Sequence, residues 1–181
     1  MRLDAETDTD LAVLARQGSR EAFAELVRRH QGPLVNLFLR MGADVHGAED
    51  CIQDTFLRLF RSLKDYEPRA PFGAYLCTLA RHAWIDWKRR ADRRRMESLD
   101  GAGERAAVAE RSPEADECLD LRSALAGLPE HLRLVVVLSV DQGLNYGEIS
   151  AVLGIPVGTV KSRMFFAVRH LREALDARSG R

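Results

Sequence analysis

The sequence is poor in cysteine and has no long hydrophobic segment. Its three cysteines, Cys51, Cys77 and Cys118, show neither Cys-x-x-Cys nor Cys/His spacing. This scattered, odd-numbered set argues against disulfide bonds and a zinc site, and it is typical of a reducing compartment. The longest apolar runs, such as residues 134–138, are too short to span a bilayer, and the acidic N-terminus lacks the apolar core of a signal peptide. We therefore expect a cytoplasmic protein that does not insert into membranes.

Motifs for catalysis are also missing. The sequence contains no P-loop, no nucleophile motif and no group of metal ligands at converging spacing. Asp50 and Asp54 lie one turn apart on a predicted helix, but a divalent cation would need further oxygen ligands from elsewhere. A solvated helix face is the preferred interpretation of this pair, and a docking face for a protein partner is the other. We expect no enzymatic activity, no metal and no cofactor.

An excess of charge of one sign is absent too, since 27 basic residues balance 27 acidic ones. The distribution along the chain is uneven. Residues 1–95 carry 17 basic and 14 acidic residues, residues 96–127 carry 3 and 8, and residues 128–181 carry 7 and 5. Two basic segments therefore flank an acidic connector, which is the arrangement expected for two separate contacts with one polyanion.

Helical periodicity is present in nearly every segment, and no segment favours a strand. In the first half, helices are predicted from Thr9 or Asp10 to Gln17, from Ser19 to the Gly32-Pro33 pair, from that pair to Gly42, and from Ala48 to Leu63. The break at Gly32-Pro33 is expected because proline lacks a backbone N–H and glycine disfavours helix.

A long helix is predicted to begin at Phe72, after two prolines that oppose helix formation. Its buried stripe is expected to comprise Phe72, Leu76, Leu79, Ala83 and Trp87. The other side combines aromatic residues with six basic residues at positions 88–95, which suits single-stranded nucleic acid because bases stack on rings while cations contact phosphates. The alternative is that Trp84 and Trp87 belong to the core and that the basic run is a solvated helix end.

The second half is predicted to form a separate helical domain. Residues 96–112 are rich in glycine, alanine and acidic residues without periodicity, which predicts a flexible linker. Ser112-Pro113 is typical of a helix start. The buried residues of that helix are expected to be Leu119, Leu121, Leu125 and Leu128, and those of a helix beginning at Pro129 to be Leu132, Val135, Val136 and Val140. The fold class is therefore all-α, with two small helical domains, residues 1–95 and 113–181, joined by the linker.

Residues 144–175 contain two helical patterns separated by Gly154-Ile155-Pro156, which is the pattern of a helix-turn-helix. Gly154 is suited to a positive φ at the turn. The buried stripe of the second helix is expected to be Val160, Met164, Val168, Leu171 and Leu175. The opposite face is polar and aromatic, and its N-terminal turns would fit the major groove of DNA. An ordinary helical hairpin is the alternative interpretation.

Three segments together resemble the extracytoplasmic-function (ECF) sigma factors, the compact two-domain branch of the bacterial sigma-70 family. They are AEDCIQDTFLRLFRSL, PFGAYLCTLARHAWIDWKRR and LPEHLRLVVVLSVDQGLNYGEISAVLGIPVGTVKSR, in this order. The resemblance implies a first domain that docks on RNA polymerase and opens and reads the minus-10 promoter element. It implies a second domain that reads the minus-35 element. The implied partners are core RNA polymerase, through its clamp helices and flap, promoter DNA in double- and single-stranded form, and an anti-sigma factor.

Three sets of site residues follow from this resemblance, position by position. The polymerase-docking set is Glu49, Asp50, Gln53, Asp54 and Arg58. The minus-10 set is Tyr75, Arg81, His82, Asp86, Arg89 and Arg90. The minus-35 set is Thr159, Lys161, Ser162, Arg163, Phe165, Phe166 and Arg169.

Some positions depart from the family pattern. His82 stands where the family commonly has Asn, Tyr75 where it has Trp, and Phe166 and Val168 where it often has Arg. His82 can still hydrogen-bond an unpaired base. Phe166 can touch a thymine methyl but cannot bind a guanine edge or a phosphate, so the base preference does not follow from relatives.

A freestanding, dimeric helix-turn-helix regulator is the competing hypothesis. It explains residues 144–175 but assigns no role to the basic helix or to the acidic docking face. Promoter recognition on behalf of RNA polymerase is therefore the preferred function.

Overall fold

The computed structural model describes residues 3–68, 70–97 and 123–179, and these residues form helices and connecting turns. The helices are α1 (Asp8–Arg16), α2 (Arg20–Met41), α3 (Val45–Ser62), α4 (Phe72–Glu97), α5 (described over 123–127), α6 (Glu130–Val140), α7 (Tyr146–Leu153) and α8 (Val157–Ser179). Short 3-10 turns cover Leu3–Ala5 and Leu63–Asp65. The all-α prediction is confirmed, and no strand occurs in the described parts of the chain.

The helix starts are set by side-chain caps. Ser19 accepts a hydrogen bond from the backbone N–H of Ala22 at 3.2 Å, as the sequence predicts. The cap of α1 is Thr7 rather than Thr9 or Asp10, because the Thr7 hydroxyl is the group that accepts from the backbone of the first turn. Asp44 caps α3 through the N–H of Gly47, so this helix begins three residues before the predicted start at Ala48.

The predicted break at Gly32-Pro33 is wrong, because α2 runs through both residues. A proline inside a helix costs about 3 kcal/mol or more. The cost is outweighed here because Leu26 on one side of Pro33 and Leu34 and Phe38 on the other lie on one buried face. Burying each such side chain contributes about 1.5–3 kcal/mol. The helix ends at Gly42 as predicted, with φ at 107°.

The two halves of the chain, residues 3–97 and 123–179, share one hydrophobic core. Buried residues of α1 to α4 form a single cluster with Val135, Leu138, Ile149 and Val160 of the second half. The contacts between the halves include those of α4 with α7 and of α2 with α6. The two predicted domains therefore pack against each other in this structure.

Polar contacts reinforce this packing. The Arg133 guanidinium donates from Nη1 to the carbonyl of Met41 at 3.0 Å. The amide of Gln142 donates to the carbonyl of Pro33 at 3.0 Å, within the helix that continues through the proline. Arg40 forms an ion pair with Asp141 at 3.1 Å. Each contact joins α2 to α6 or to the residues directly after it.

The expected burial of Val140 and Val168 is wrong, since their exposed fractions are 70% and 48%. α6 is buried on more than one side, with Val135, Val137 and Leu138 in the shared core and Leu132 and Val136 in a smaller cluster against α8. Val140, the last residue of α6, faces neither. In α8 Val160 is buried as predicted, but Ala167 is buried in place of Val168, one residue earlier than predicted.

Part of the sequence prediction lies outside the described residues. α4 extends to Glu97, two residues into the predicted linker. The rest of that linker, the helix start at Ser112 and the predicted core residues Leu119 and Leu121 are not among the described residues.

Candidate polymerase and nucleic-acid interfaces

The predicted docking face on α3 is divided into an exposed part and a tethered part. Glu49, Asp50 and Gln53 are exposed. Asp54 and Arg58 are half-buried, and the Nε and Nη2 atoms of Arg58 lie 3.1 and 3.0 Å from Asp54 Oδ2. The hydrogen bond to Asp54 raises the pKa of Arg58 above its ordinary value. The part of the set that is free to meet a partner is therefore the exposed one.

Arg58 also reaches across to α4. Its Nη2 donates to Asp86 Oδ2 at 2.7 Å, which joins a predicted docking residue to a predicted minus-10 residue. One turn further along α3, the Ser62 hydroxyl lies 2.5 Å from the Tyr75 hydroxyl. Ser62 also lies 2.8 Å from the carbonyl of Arg58, to which it donates its only proton, so Tyr75 donates to Ser62. These contacts attach α4 to α3 at two points.

The start of α4 is surrounded by aromatic residues. Tyr66, Phe72 and Tyr75 have ring centroids 5.0 to 6.4 Å apart. A cavity of about 420 Å³ lies beside them and is lined by the turn at residues 65–67, by Tyr75 and Thr78, and by Ala151 and Val152 of α7. The helix-turn-helix thus forms one wall of a cavity beside a predicted minus-10 residue.

The other minus-10 residues are spread along α4. His82, Arg89 and Arg90 are exposed, whereas Arg81 is half-buried. Arg81 lines a second cavity of about 440 Å³ between α4, α6 and the helix-turn-helix, and Arg163 of the minus-35 set lines the same cavity. The structure therefore brings one residue of each predicted DNA-binding set to a single cleft between the halves.

For Trp84, the interpretation as a core residue is confirmed. Its exposed fraction is 5%, and its ring stacks on Trp87 with centroids 5.2 Å apart. Its indole Nε1 donates to Glu130 Oε1 of α6 at 2.8 Å. Trp87 lies so close to Gly47 that a side chain at that position would collide with the indole ring. The Trp84 ring is therefore not open to stack on DNA bases, whereas Trp87 is half-buried.

Glu130 makes contacts between the halves that sequence reasoning missed. It accepts hydrogen bonds from Trp84 and from the Lys88 ammonium group, both on α4. Burial opposes ionisation of this carboxyl, but the hydrogen bonds from Lys88 and Trp84 hold its pKa below the ordinary value. No local pattern marks Glu130, because it lies in the first turn of a helix, where an acidic residue is common.

The helix-turn-helix has the predicted geometry. Gly154 ends α7 with φ at 66°, and the Ser150 hydroxyl donates to the carbonyl of Ile155 at 2.5 Å, which closes the turn. Asn145 and Glu148 form a capping box at the start of α7. Sequence reasoning missed this cap, although the Asn-x-x-Glu spacing before an apolar run is a recognisable signal.

The exposed face of α8 carries the predicted minus-35 residues. Lys161, Ser162, Phe165, Phe166 and Arg169 are exposed, and Thr159 and Arg163 are half-buried. The Arg169 guanidinium lies over the Phe166 ring, 5.1 Å from its centroid, and Phe165 packs edge-on against the same ring. Glu173 lies 3.7 Å from Arg169 on its other side. Two exposed aromatic rings and a cation thus form one patch on this face.

The described residues contain no group of three or more His, Cys, Asp or Glu side chains placed to hold a metal ion. Burial raises the pKa of the Cys51 and Cys77 thiols to about 12, so both remain protonated at neutral pH.

No single described helix is long and apolar enough to cross a membrane. By length and composition, α7 and α8 would be long and apolar enough only as a pair, and they are bent by 105° relative to each other.

Comparison with known proteins identifies the class. Residues 26–94 match sigma-70 region 2, and residues 118–171 match sigma-70 region 4. The chain is 35% identical to the ECF sigma factor SigL of Mycobacterium tuberculosis over 88% of its own length and 94% of the relative's. It is 30% identical to the RNA polymerase sigma-H factor of Pseudomonas aeruginosa over 96% of its own length and 94% of that protein's.

A longer relative and a solved structure agree. The ECF sigma factor SigE of Mycolicibacterium smegmatis is 38% identical over 90% of this chain, which spans 65% of the length of SigE. The structure of CnrH in complex with the cytosolic domain of CnrY superposes with a TM-score of 0.74 at 28% identity, covering 95% of this chain and 99% of CnrH.

These matches and the helical architecture define a sigma factor of the sigma-70 family. Within that family the chain belongs to the ECF sigma factors, which direct transcription initiation as alternative sigma factors.

Proposed function

We propose that this chain binds core RNA polymerase through the exposed part of α3, opens and reads the minus-10 element with α4, and reads the minus-35 element with α8. The observation that carries the proposal is the presence of three distinct surfaces in one chain. They are an exposed acidic and amide face, a basic helix end, and a helix-turn-helix with exposed Lys161, Ser162 and Arg169. A freestanding regulator would use only the last of them.

Chemistry at the three surfaces differs. Glu49, Asp50 and Gln53 present carboxylate and amide groups that suit a basic protein surface. Arg89 and Arg90 are exposed cations that suit phosphates. His82 offers a ring nitrogen for hydrogen bonding with a base, and the N-terminal turns of α8 offer side chains to the major groove. The chain itself supplies binding and strand opening, and the polymerase supplies the catalysis.

One further partner and a location belong to this proposal. The CnrH structure contains the cytosolic domain of CnrY, and we infer that an anti-sigma factor binds this chain as well. We also infer a cytoplasmic location, since both core polymerase and promoter DNA are there.

The test is run-off transcription with purified core polymerase on a library of promoter fragments. Holoenzyme should initiate at a small set of promoters that share two elements, whereas core polymerase alone should not. Size-exclusion chromatography and a polymerase pull-down test the competing hypothesis, because a freestanding regulator would elute as a dimer and would not retain polymerase.

Arg89→Ala/Arg90→Ala separates phosphate contacts from base contacts within the minus-10 set. Loss of two phosphate contacts should weaken promoter binding and reduce the slope of log affinity against log salt by roughly 0.7–0.9 for each contact. His82→Ala should instead change the preferred minus-10 base with little effect on that slope. An unchanged base preference in His82→Ala would show that His82 does not belong to the minus-10 set.

A further inference from the structure

Arg58 stands in the docking set by its position in the sequence, but its side chain is occupied within the protein. The guanidinium donates to Asp54 on its own helix through Nε and Nη2. The same Nη2 donates to Asp86 on α4 at 2.7 Å. A helical side chain points toward the N-terminus of its helix, which explains why Arg58 reaches Asp54 and the segment of α4 beside it.

The contact with Arg58 commits one of the two oxygens of Asp86. Oδ2 accepts from Arg58, whereas Oδ1 faces Arg89 Nη1 at 3.9 Å, a distance too long for a direct hydrogen bond. Asp86 is 43% exposed, and Arg89 is 74% exposed. Oδ1 is therefore the oxygen that can accept a hydrogen bond from a ligand, while Arg89 is placed to meet a phosphate nearby.

We propose that Arg58 is a positioning residue for minus-10 recognition rather than a contact with the polymerase. By holding Oδ2, it sets the orientation in which Oδ1 of Asp86 accepts a hydrogen bond from the exocyclic amine of an unpaired base, as carboxylates do with cytosine N4. The inference rests on the proposed function, since it concerns the minus-10 segment named there.

The arrangement of charge supports this role. Asp54 and Asp86 both bind one guanidinium, so the cation separates two carboxylates that would otherwise repel each other across the α3–α4 contact. A lysine has one compact ammonium group and lacks the planar fork that can serve two carboxylates at fixed angles. The Ser62–Tyr75 hydrogen bond holds the same two helices nearer the start of α4, so loss of Arg58 would release Asp86 without separating the helices.

The experiment compares Arg58→Ala, Arg58→Lys and Asp86→Asn in holoenzyme, with single-stranded non-template oligonucleotides randomised across the minus-10 element. Arg58→Ala should lose preference at the same base position as Asp86→Asn, by about tenfold, which is the scale of one good base contact. Arg58→Lys should retain part of that preference. Arg58→Ala/Asp86→Asn should select the same sequences as Asp86→Asn alone, because both changes act through one carboxylate.

Core polymerase affinity, measured in parallel, decides between the two roles of Arg58. Arg61→Ala is the matched control, because Arg61 is an exposed arginine on the same helix. Under our proposal, Arg58→Ala binds core polymerase within about twofold of the Arg61→Ala protein. A large loss of polymerase affinity with an unchanged minus-10 profile would overturn the proposal and return Arg58 to the docking set.

A folding control keeps the result interpretable. If Arg58→Ala is unstable because two carboxylates are left facing each other, Asp54→Asn/Arg58→Ala removes one of these carboxylates along with the guanidinium and tests the same contact. An unchanged profile in this folded variant would also overturn the proposal. A wild-type holoenzyme that selects no minus-10 sequence would instead contradict the proposed function itself.

Discussion

At the scale of single residues, Phe166 is the member of the predicted minus-35 set whose chemistry is most readily tested. Its ring is 42% exposed, and one face carries the Arg169 guanidinium. A cation over an aromatic ring is held by the ring quadrupole, at an exposed site by about 0.5–1 kcal/mol. Besides its proposed contact with a thymine methyl, Phe166 therefore restricts where Arg169 can lie.

Phe166→Arg is predicted to create a guanine preference at one position of the minus-35 element. The new guanidinium can bind O6 and N7 of guanine, and such a contact discriminates by about 1–3 kcal/mol. A binding selection with holoenzyme on randomised minus-35 duplexes measures it. Phe166→Leu is the control, since it removes the ring without adding a donor and should lower affinity with no new guanine. A fall in thermal stability with unchanged selected sequences would mean that Phe166 packs against protein instead.

At the scale of helices and turns, the helix-turn-helix depends on one backbone conformation. Gly154 has φ at 66°, and a Cβ built on it would have no atom within 4 Å. The effect of a side chain there is therefore backbone strain alone. Gly158, in the first turn of α8, likewise has open space around it but has an ordinary negative φ.

Gly154→Ala is predicted to lower the free energy of unfolding by about 1–2 kcal/mol, the cost of a left-handed conformation for a residue with a Cβ. Gly158→Ala, its matched control, should leave stability unchanged or raise it by up to about 1 kcal/mol, because alanine favours helix. Chemical denaturation followed by circular dichroism measures both. Equal effects of the two substitutions would show that strain at Gly154 is negligible.

The proposed docking on polymerase also belongs to this scale, because it would use one face of α3. Asp50→Lys should weaken core polymerase binding by tenfold or more, as reversal of a charge facing a basic surface costs on the order of 1–2 kcal/mol. Asp50 is the better choice than Asp54, since reversing Asp54 would place a lysine beside Arg58. Asp92→Lys, a reversal at an exposed acid on α4, is the control. Wild-type polymerase affinity in Asp50→Lys would disprove docking through this face.

What the sequence could predict was local. The cap at Ser19, the end of α2 at Gly42 and the turn at Gly154 all follow from neighbouring residues, and the structure has each of them. The continuation of α2 through Pro33 and the partners of Trp84 depend on residues distant in the chain. Periodicity reports which face of a helix is apolar, but it does not report what covers that face. The contacts that Arg58, Asp86 and Glu130 make are therefore visible only in the three-dimensional structure.

At the scale of the whole molecule, the two halves touch, whereas the DNA elements they are proposed to read are far apart. Minus-35 and minus-10 elements lie about 25 base pairs apart by their names, or about 85 Å of duplex at 3.4 Å per pair. Residues 98–122 between the halves could span at most about 80–90 Å if fully extended. If the halves read these elements as proposed, a chain in which α4 contacts α7 would not meet both of them, and we expect the halves to separate on the promoter.

Glu130→Lys is predicted to favour that separation. The substitution places a lysine against Lys88 and removes the acceptor of Trp84, so like charges replace an ion pair. Fluorescent labels on exposed residues, Asn36 of α2 and Asp176 of α8, should report a longer mean distance in the free protein. The isolated variant should also bind a minus-35 duplex more tightly than wild type. His131→Lys, at the exposed neighbouring residue, is the control, and identical distances in both variants would rule out Glu130 as the fastening contact.

The same interface affects how such chains can be recombined. Glu130 accepts hydrogen bonds from Trp84 and Lys88, and Arg133 donates to the carbonyl of Met41 at the end of α2. A hybrid that joins the first half of this chain to the second half of a relative would bring other side chains to these positions. We expect such a hybrid to inherit one promoter element from each parent but to lose the closed arrangement of either. On this expectation the halves would be exchangeable as proposed readers of DNA, but not as partners of each other.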